Sequence, residues 1–408
     1  MSLTTEGKPR IESLDVLRGL AILGILIVNA PYFAATWHSA MMPSAIPLAV
    51  DQDSLWSWLV MHVFFEFKFI TLFSMLFGVS LYLVGGERSD KDKGAQLRRR
   101  LSWLLLFGLI HGLLIWYGDI LLNYAVCGFL VLFCRSWRPG TLLFWGIFWT
   151  LLSSALIGLG AWAMQYAPPE VMEQQAQAMS LTAAQFATIA ERITGGPLGA
   201  LQQNMEWWLT FFLQALIFIT PRTVGIMMIG MALFKWGFMS GKSPVWLYVL
   251  FLVLGGASFA VLWMQGLREF EAGFPIAMVQ GEGMLVTSLL SPICTLAYVS
   301  LFILILKSGV IDFLMKALAA TGRMAFTNYI AQSLIMTTIF WRLGYFGEVT
   351  REQLWLVVGG VWLTQLIWSP LWLSVFAMGP LEWVWRCLTY KRWVPITKRR
   401  AQAATAAA

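Results

Sequence analysis

Charge is what this chain has least of. Of its 408 residues only 12% are Asp, Glu, Lys or Arg, against 59% hydrophobic, and just three are histidine. A soluble domain carries roughly a quarter charged residues, so that class is excluded, and the mean hydropathy of +0.70 agrees. Four cysteines, at 127, 134, 294 and 387, lie in or beside apolar runs. They suit neither a disulfide framework nor a zinc cluster and read as small apolar filler; no metal site is expected. The first apolar run lacks a small-x-small cleavage site, which argues against a removed signal sequence. No long internal repeat is visible, which disfavours an inverted-repeat transporter.

Long apolar runs are there instead. They occupy roughly residues 14 to 34, 56 to 84, 100 to 117, 120 to 134, 141 to 165, 244 to 264, 285 to 307, 323 to 341 and 352 to 376. Backbone groups must be paired inside lipid, and uninterrupted runs exclude the alternating pattern of a barrel. The fold class is therefore all-α, a polytopic integral membrane protein. Residues 207 to 237 are ambiguous, because Pro221 and Arg222 divide them into two pieces of about 15 residues, too short for a standard span of about 20. One net crossing there gives about ten helices in all (nine to eleven).

Basic residues set the orientation. Lys8 and Arg10, the loop GGERSDKDKGAQLRRR, Arg135 with Arg138, and the tail TYKRWVPITKRR are expected on the cytoplasmic side, with both termini. The net charge of +7 is thus a topology signal and gives nucleic acid binding little support. The chain divides into a five-helix N-terminal bundle (1–165), an extracytoplasmic segment (166–203), a C-terminal bundle (204–390) and a basic cytoplasmic tail (391–408). Lipid is the evident partner; oligomeric state is not legible.

Polar groups within the spans are functional candidates, since each is costly unless paired or wetted. In GLIHGLLIWYGDILLNYA, residues 108–125, His111 sits about mid-depth between Gly108 and Gly112. Gly118 and Asp119 mark a tight turn, and Asn123 and Tyr124 follow. His111 and Asp119 are the catalytic candidates; Asp119, eight residues from His111, reads as a substrate or turn ligand more readily than as its partner, unless the helix bends. FFEFKFITLFSMLFG, residues 64–78, supplies Glu66 and Lys68, which point to different helix faces and so to different partners. Arg18 or Asp15 is one candidate neighbour, if the first two helices pack together. TGRMAFTNYIAQS, residues 321–333, supplies Arg323, Asn328 and Gln332, and Arg222 stands beside Pro221. For each charged group the alternative is an interfacial or structural ion pair.

The stretches RIESLDVLRGLAILGILIVN, EFKFITLFSMLFGVSLYL, GLIHGLLIWYGDILLNYA, GRMAFTNYIAQSLI, QLIWSP and GPLEWVWRCLTY resemble the bacterial YeiB-type family, whose C-terminal region has been called a domain of unknown function. The N-terminal half is similar to membrane acyltransferases, a group that includes heparan-glucosaminide N-acetyltransferase and bacterial surface-polysaccharide O-acyltransferases. That likeness implies an acyl group, such as acetyl, carried from cytoplasmic acyl-CoA to a sugar or other small acceptor, in the bacterial inner membrane. Asp15, Arg18 and Gly19 match the shared first-helix motif. Asn29 stands where the O-acyltransferases carry histidine, and an amide is no general base; His111 belongs to the YeiB-type family's own motif and so ranks above His38 and His62 as the reacting group.

In that reading His111 is the base or acyl carrier, facing a cavity open to the cytoplasm. Arg98, Arg99, Arg100 or Arg323 would meet the phosphates of acyl-CoA; no permanently bound cofactor is expected. The alternatives are a transporter or permease for a small molecule or lipid, supported by the Pro221 break, and a non-catalytic membrane protein.

Overall fold

The protein was analysed as a computed structural model that describes residues 11–164 and 166–398. Lys8, Arg10, Arg399 and Arg400, which carry part of the charge argument, lie outside the described residues. Every regular element within them is helical: α1 (Glu12–Ala34), α2 (Trp37–Met41), α3 (Leu55–Phe64), α4 (Lys68–Gly85), α5 (Lys91–Leu114), α6 (Leu121–Val131), α7 (Pro139–Met164), α8 (Pro169–Ala178), α9 (Ala183–Thr194), α10 (Pro197–Gln214), α11 (Thr220–Lys235), α12 (Val245–Glu271), α13 (Met284–Ser308), α14 (Asp312–Arg323), α15 (Ala325–Thr337), α16 (Arg351–Val375) and α17 (Pro380–Tyr390).

Seven helical segments among the described residues are long and apolar enough to cross a membrane: Glu12–Ala34, Leu55–Gly85, Pro139–Met164, Pro197–Lys235, Val245–Glu271, Met278–Ser308 and Arg351–Val375. The runs expected at 100–117, 120–134 and 323–341 belong to helices outside these seven. α5 begins in the polar loop at Lys91, α6 with its following 3-10 turn spans Leu121–Cys134, and α15 starts after a break at Met324.

Residues 207 to 237 are not two pieces. α10 and α11 form one rod, joined by a π turn at Ala215–Ile219. Pro221 lacks an N–H, and its ring would press on the carbonyl four residues earlier; the wider π turn makes room without ending the helix. The segment 166–203 also holds helices, with α9 opened by a capping box between Thr182 and Gln185, which satisfies two N–H groups reciprocally.

Lipid supplies no hydrophobic drive between helices, so close packing relies on small residues. α11 shows this on two sides. Gly78 of α4 lies on the backbone of Met227, Gly230 lies on that of Met75, and Gly146 of α7 faces Gly225. A β-carbon at any of these would collide with the facing chain. The stretches 1–165 and 204–390 therefore interlock through α11. α1 and α14 cross in the same way, with Gly19 against Leu318 and Gly322 against Asp15.

Candidate functional site

α5 and α6 form a hairpin whose tip carries the polar residues. His111 is 1% exposed, on the last turn of α5, and helical side chains tilt toward the helix N-terminus, into the protein. Its Nδ1 lies 2.8 Å from Asp119 Oδ1 and its Nε2 2.9 Å from Ser333 Oγ on α15. Asp119 is therefore the partner of His111. The eight-residue separation misleads because Ile115–Ile120 folds the chain back, with Ile115 and Trp116 N–H both donating to the His111 carbonyl. Asp119 also accepts from Leu121 N–H at 3.1 Å and Leu122 N–H at 2.8 Å, the hydrogen bonds of a helix cap.

A carboxylate at Nδ1 fixes the ring hydrogen there, which leaves the Nε2 lone pair to accept from the Ser333 hydroxyl. Serine, imidazole and carboxylate thus stand in line, the order used to activate a serine nucleophile. Around them Tyr329 lies 5.1 Å from the imidazole, ring to ring, and Ile120 N–H donates to its hydroxyl. Gln203 and Asn204 are buried on α10, and Asn204 Nδ2 donates to the carbonyls of Gly112 and Leu113, closing the tip from that side. A pocket of about 50 Å³ reaches Asp119 and Asn123 between α6 and α10, walled by Tyr117, Trp208, Phe211 and Phe212. His111 does not open to a cytoplasmic cavity as expected; the space beside the relay lies at its Asp119 end.

The other predicted residues disperse. Asn123 Nδ2 donates to Thr220 Oγ1 at 2.9 Å, pinning α6 to the π turn of the long rod. Asn328 bonds Thr321 O and Ser369 Oγ and accepts from Trp368, and Gln332 bonds Ile22 O and Gln365 Oε1. Both are engaged in packing among α1, α14, α15 and α16. Arg99 Nε donates to Thr389 O, Arg100 stacks on Trp385 at 3.8 Å, and an Arg323 guanidinium nitrogen donates to Ala377 O. Those three hold α17 and the segment before it, not an open mouth; Arg98 is exposed. Glu382 of α17 accepts from Phe326 N–H and from Thr327 N–H and Oγ1, capping α15. Its carboxyl is pushed above the usual range by burial.

An open cleft of about 1000 Å³ does exist, lined by the ends of α1, α4, α11 and α13 and by Arg138, Lys235, Lys242 and Lys307. It lies away from the relay residues. Arg18 pairs with Asp15 at 3.0 Å and reaches Ser80 of α4, so α1 and α4 do pack together, but Glu66 is not its partner. Glu66 pairs instead with His62, and Lys68 Nζ donates to the His62 carbonyl. Arg222 donates to Ser288 O, Ser288 Oγ and Ser291 Oγ. Asn29 is half-buried on α1 and takes part in none of these hydrogen bonds.

Ser333, Glu269, Gln365 and Glu382 were not singled out from sequence. A serine in an apolar helix ordinarily donates to the carbonyl one turn back, and Tyr329 O does lie 3.4 Å from Ser333 Oγ; only the fold offers its one hydrogen the nearer histidine nitrogen instead.

Comparison with known proteins bears on what this chain is. Residues 233–392 match the profile of the family described as "Protein of unknown function (DUF418)". The chain is 32% identical to YxaH of Bacillus subtilis over 98% of each protein, and 30% identical to YeiB of Escherichia coli over 94% of this chain and 97% of YeiB. No solved structure matches significantly. End-to-end similarity of this degree, joined to the DUF418 match over α12 to α17, means that the chain belongs to the YeiB-type DUF418 family of multi-pass membrane proteins.

Proposed function

We propose that the protein is a bacterial inner-membrane acyltransferase that works through a Ser333–His111–Asp119 relay. The observation that carries this is the pair of distances about one imidazole, 2.9 Å to Ser333 Oγ and 2.8 Å to Asp119 Oδ1. Ser333 Oγ attacks the carbonyl of a thioester, and its proton passes to His111 Nε2. Collapse of the adduct expels the thiolate, which takes that proton and leaves as the thiol, with the acyl group now an ester on Ser333. An acceptor hydroxyl attacks this ester, gives its proton to Nε2, and releases Ser333, which recovers the proton. Asp119 holds the tautomer and the charge of the imidazolium. Ser333 is 1% exposed and the small pocket reaches only the Asp119 end of the relay, so turnover requires the packing beside α15 to open.

The donor class is acyl-CoA and the acceptor a sugar or small molecule, in line with the first-helix motif Asp15, Arg18, Gly19. Both termini face the cytoplasm, and about ten membrane helices include the α5–α6 arms and α15. The basic cleft around Arg138, Lys242 and Lys307 then opens to the cytoplasm. A transporter is the second reading, favoured by the break between α3 and α4 inside one apolar segment, since transporters build sites at discontinuous helices.

The test is covalent. A serine-directed fluorophosphonate should label the purified protein, with release of coenzyme A from acetyl-CoA, and Ser333→Ala and His111→Ala should each lose both signals by at least about 100-fold. Unchanged labelling in Ser333→Ala, or none in the parent protein, reduces the relay to a packing device and leaves transport the stronger reading.

A further inference from the structure

His62 and Glu66 take no part in the relay and form a second polar centre, where α3 meets α4. His62 Nδ1 and Glu66 Oε2 lie 2.5 Å apart, and Lys68 Nζ, fully buried, donates to the His62 carbonyl at 2.8 Å. The helix is broken here: Phe67 has φ of +62°, a left-handed conformation that bulky side chains seldom adopt. Carbonyls at the break are taken up by α13, Tyr298 Oη donating to Phe64 O and Thr295 Oγ1 to Lys68 O.

α12 closes the other side. Gly266 lets it lie against Leu59 and His62, and Glu269, one turn further on, is 1% exposed. Its one hydrogen bond comes from Gln265 Nε2 at 3.4 Å, and it has no ion pair among the described residues. His62 Nε2 is buried without a hydrogen-bond partner. Trp58 stacks on the imidazole with 4.9 Å between centroids, a face that favours a cation.

Counting charges identifies what the centre lacks. The Lys68 ammonium balances the Glu66 carboxylate; with a neutral imidazole, Glu269 is then a buried anion with no cation, which proteins avoid by pairing or protonation. One proton, on His62 Nε2 or on the Glu269 carboxyl, makes the centre neutral. We infer that His62, Glu66 and Glu269 form a binding site for one exchangeable proton within the membrane segment. It stands apart from the Ser333 relay and does not depend on it. The proton adds to the Nε2 lone pair, giving an imidazolium bonded to Glu66 through Nδ1 and offsetting the Glu269 charge without a direct ion pair, and its release restores the bare nitrogen. The other ionisable groups facing this centre are Glu282 from the turn before α13, Tyr32 of α1, and Cys294 and Tyr298 of α13. Sodium would answer the same charge, but it prefers oxygen ligands, and the open atom is an imidazole nitrogen.

Proton linkage supplies the experiment on the full-length protein in detergent. A folded state that holds one more proton than the unfolded chain loses stability as pH rises. The unfolding midpoint should therefore fall from about pH 6 to about pH 9, and Glu269→Gln should flatten that slope. His62→Gln should lower the midpoint at neutral pH, where the parent still holds the proton, and hardly at all beside Glu269→Gln, while added sodium at fixed pH changes nothing. A slope unchanged by Glu269→Gln, equal effects of His62→Gln in both backgrounds, or a sodium response overturns the site. Should a variant not fold, infrared spectra of the unaltered protein over the same pH range decide: a carboxyl or imidazole band that gains or loses a proton supports the proposal, and bands that do not change refute it.

Discussion

Replacing Asp119 with Asn separates the two tasks this residue performs. The amide keeps one acceptor and turns the other into a donor. If the oxygen stays on the Oδ1 side it still serves His111 and Leu121 N–H, and the NH2 faces Leu122 N–H, whose 2.8 Å bond is lost. A stranded buried N–H costs about 1 to 3 kcal/mol. If the amide flips, the NH2 meets Nδ1 and forces the ring hydrogen onto Nε2, where it points at Ser333 and no lone pair receives the serine proton. Either geometry removes the anion beside the imidazolium. In a protease triad the same exchange slows turnover by about 10,000-fold, because the wrong tautomer is held. At this chain length unfolding entropy is large enough that 1 kcal/mol moves the midpoint by roughly 1 °C, so the thermal loss is small, about 1 to 4 °C, while the chemical loss is very large. Differential scanning fluorimetry and the fluorophosphonate labelling rate, measured on one preparation, read the two effects separately. Labelling of Asp119→Asn at the parental rate would refute the relay; a collapse of the fold would show that the cap dominates.

Two further predictions concern the scaffold. A reporter active only in the cytoplasm should be silent when fused at Glu173 and active after Ala408, and the reverse would put the basic cleft on the wrong face. Gly322→Val places a side chain against the Asp15 backbone at the α1–α14 crossing and should cost more than about 3 kcal/mol. Gly140→Ala in α7 meets nothing within 4 Å and should be neutral or stabilising by up to about 1 kcal/mol; chemical denaturation in mixed micelles compares the two.

Helical membrane architecture was legible because it depends on run length and charge scarcity alone. His111 was legible too, as an ionisable group in an apolar run. Apart from the packing of α1 on α4, what escaped depends on where the chain returns. Asp119 ranks lower as a partner because eight residues exceed two helical turns, and the fold-back over Ile115–Ile120 is a matter of tertiary packing. Ser333 looks like any helical hydroxyl. Arg99, Arg100 and Arg323 read as phosphate ligands until α17 lies across them, and Pro221 reads as a break because a π turn leaves no trace in composition.

The 222 positions between His111 and Ser333 have a consequence for biosynthesis. The histidine and its carboxylate enter the membrane early, on one hairpin, whereas the serine arrives with α15, and the carboxylate that caps that helix follows 49 residues later on α17. A ribosome-bound chain thus spends most of its insertion with an imidazole that has nothing to activate. On the proposed relay, reactivity would wait for α15 to be inserted, so a chain cut short before it should be inert as well as unfinished.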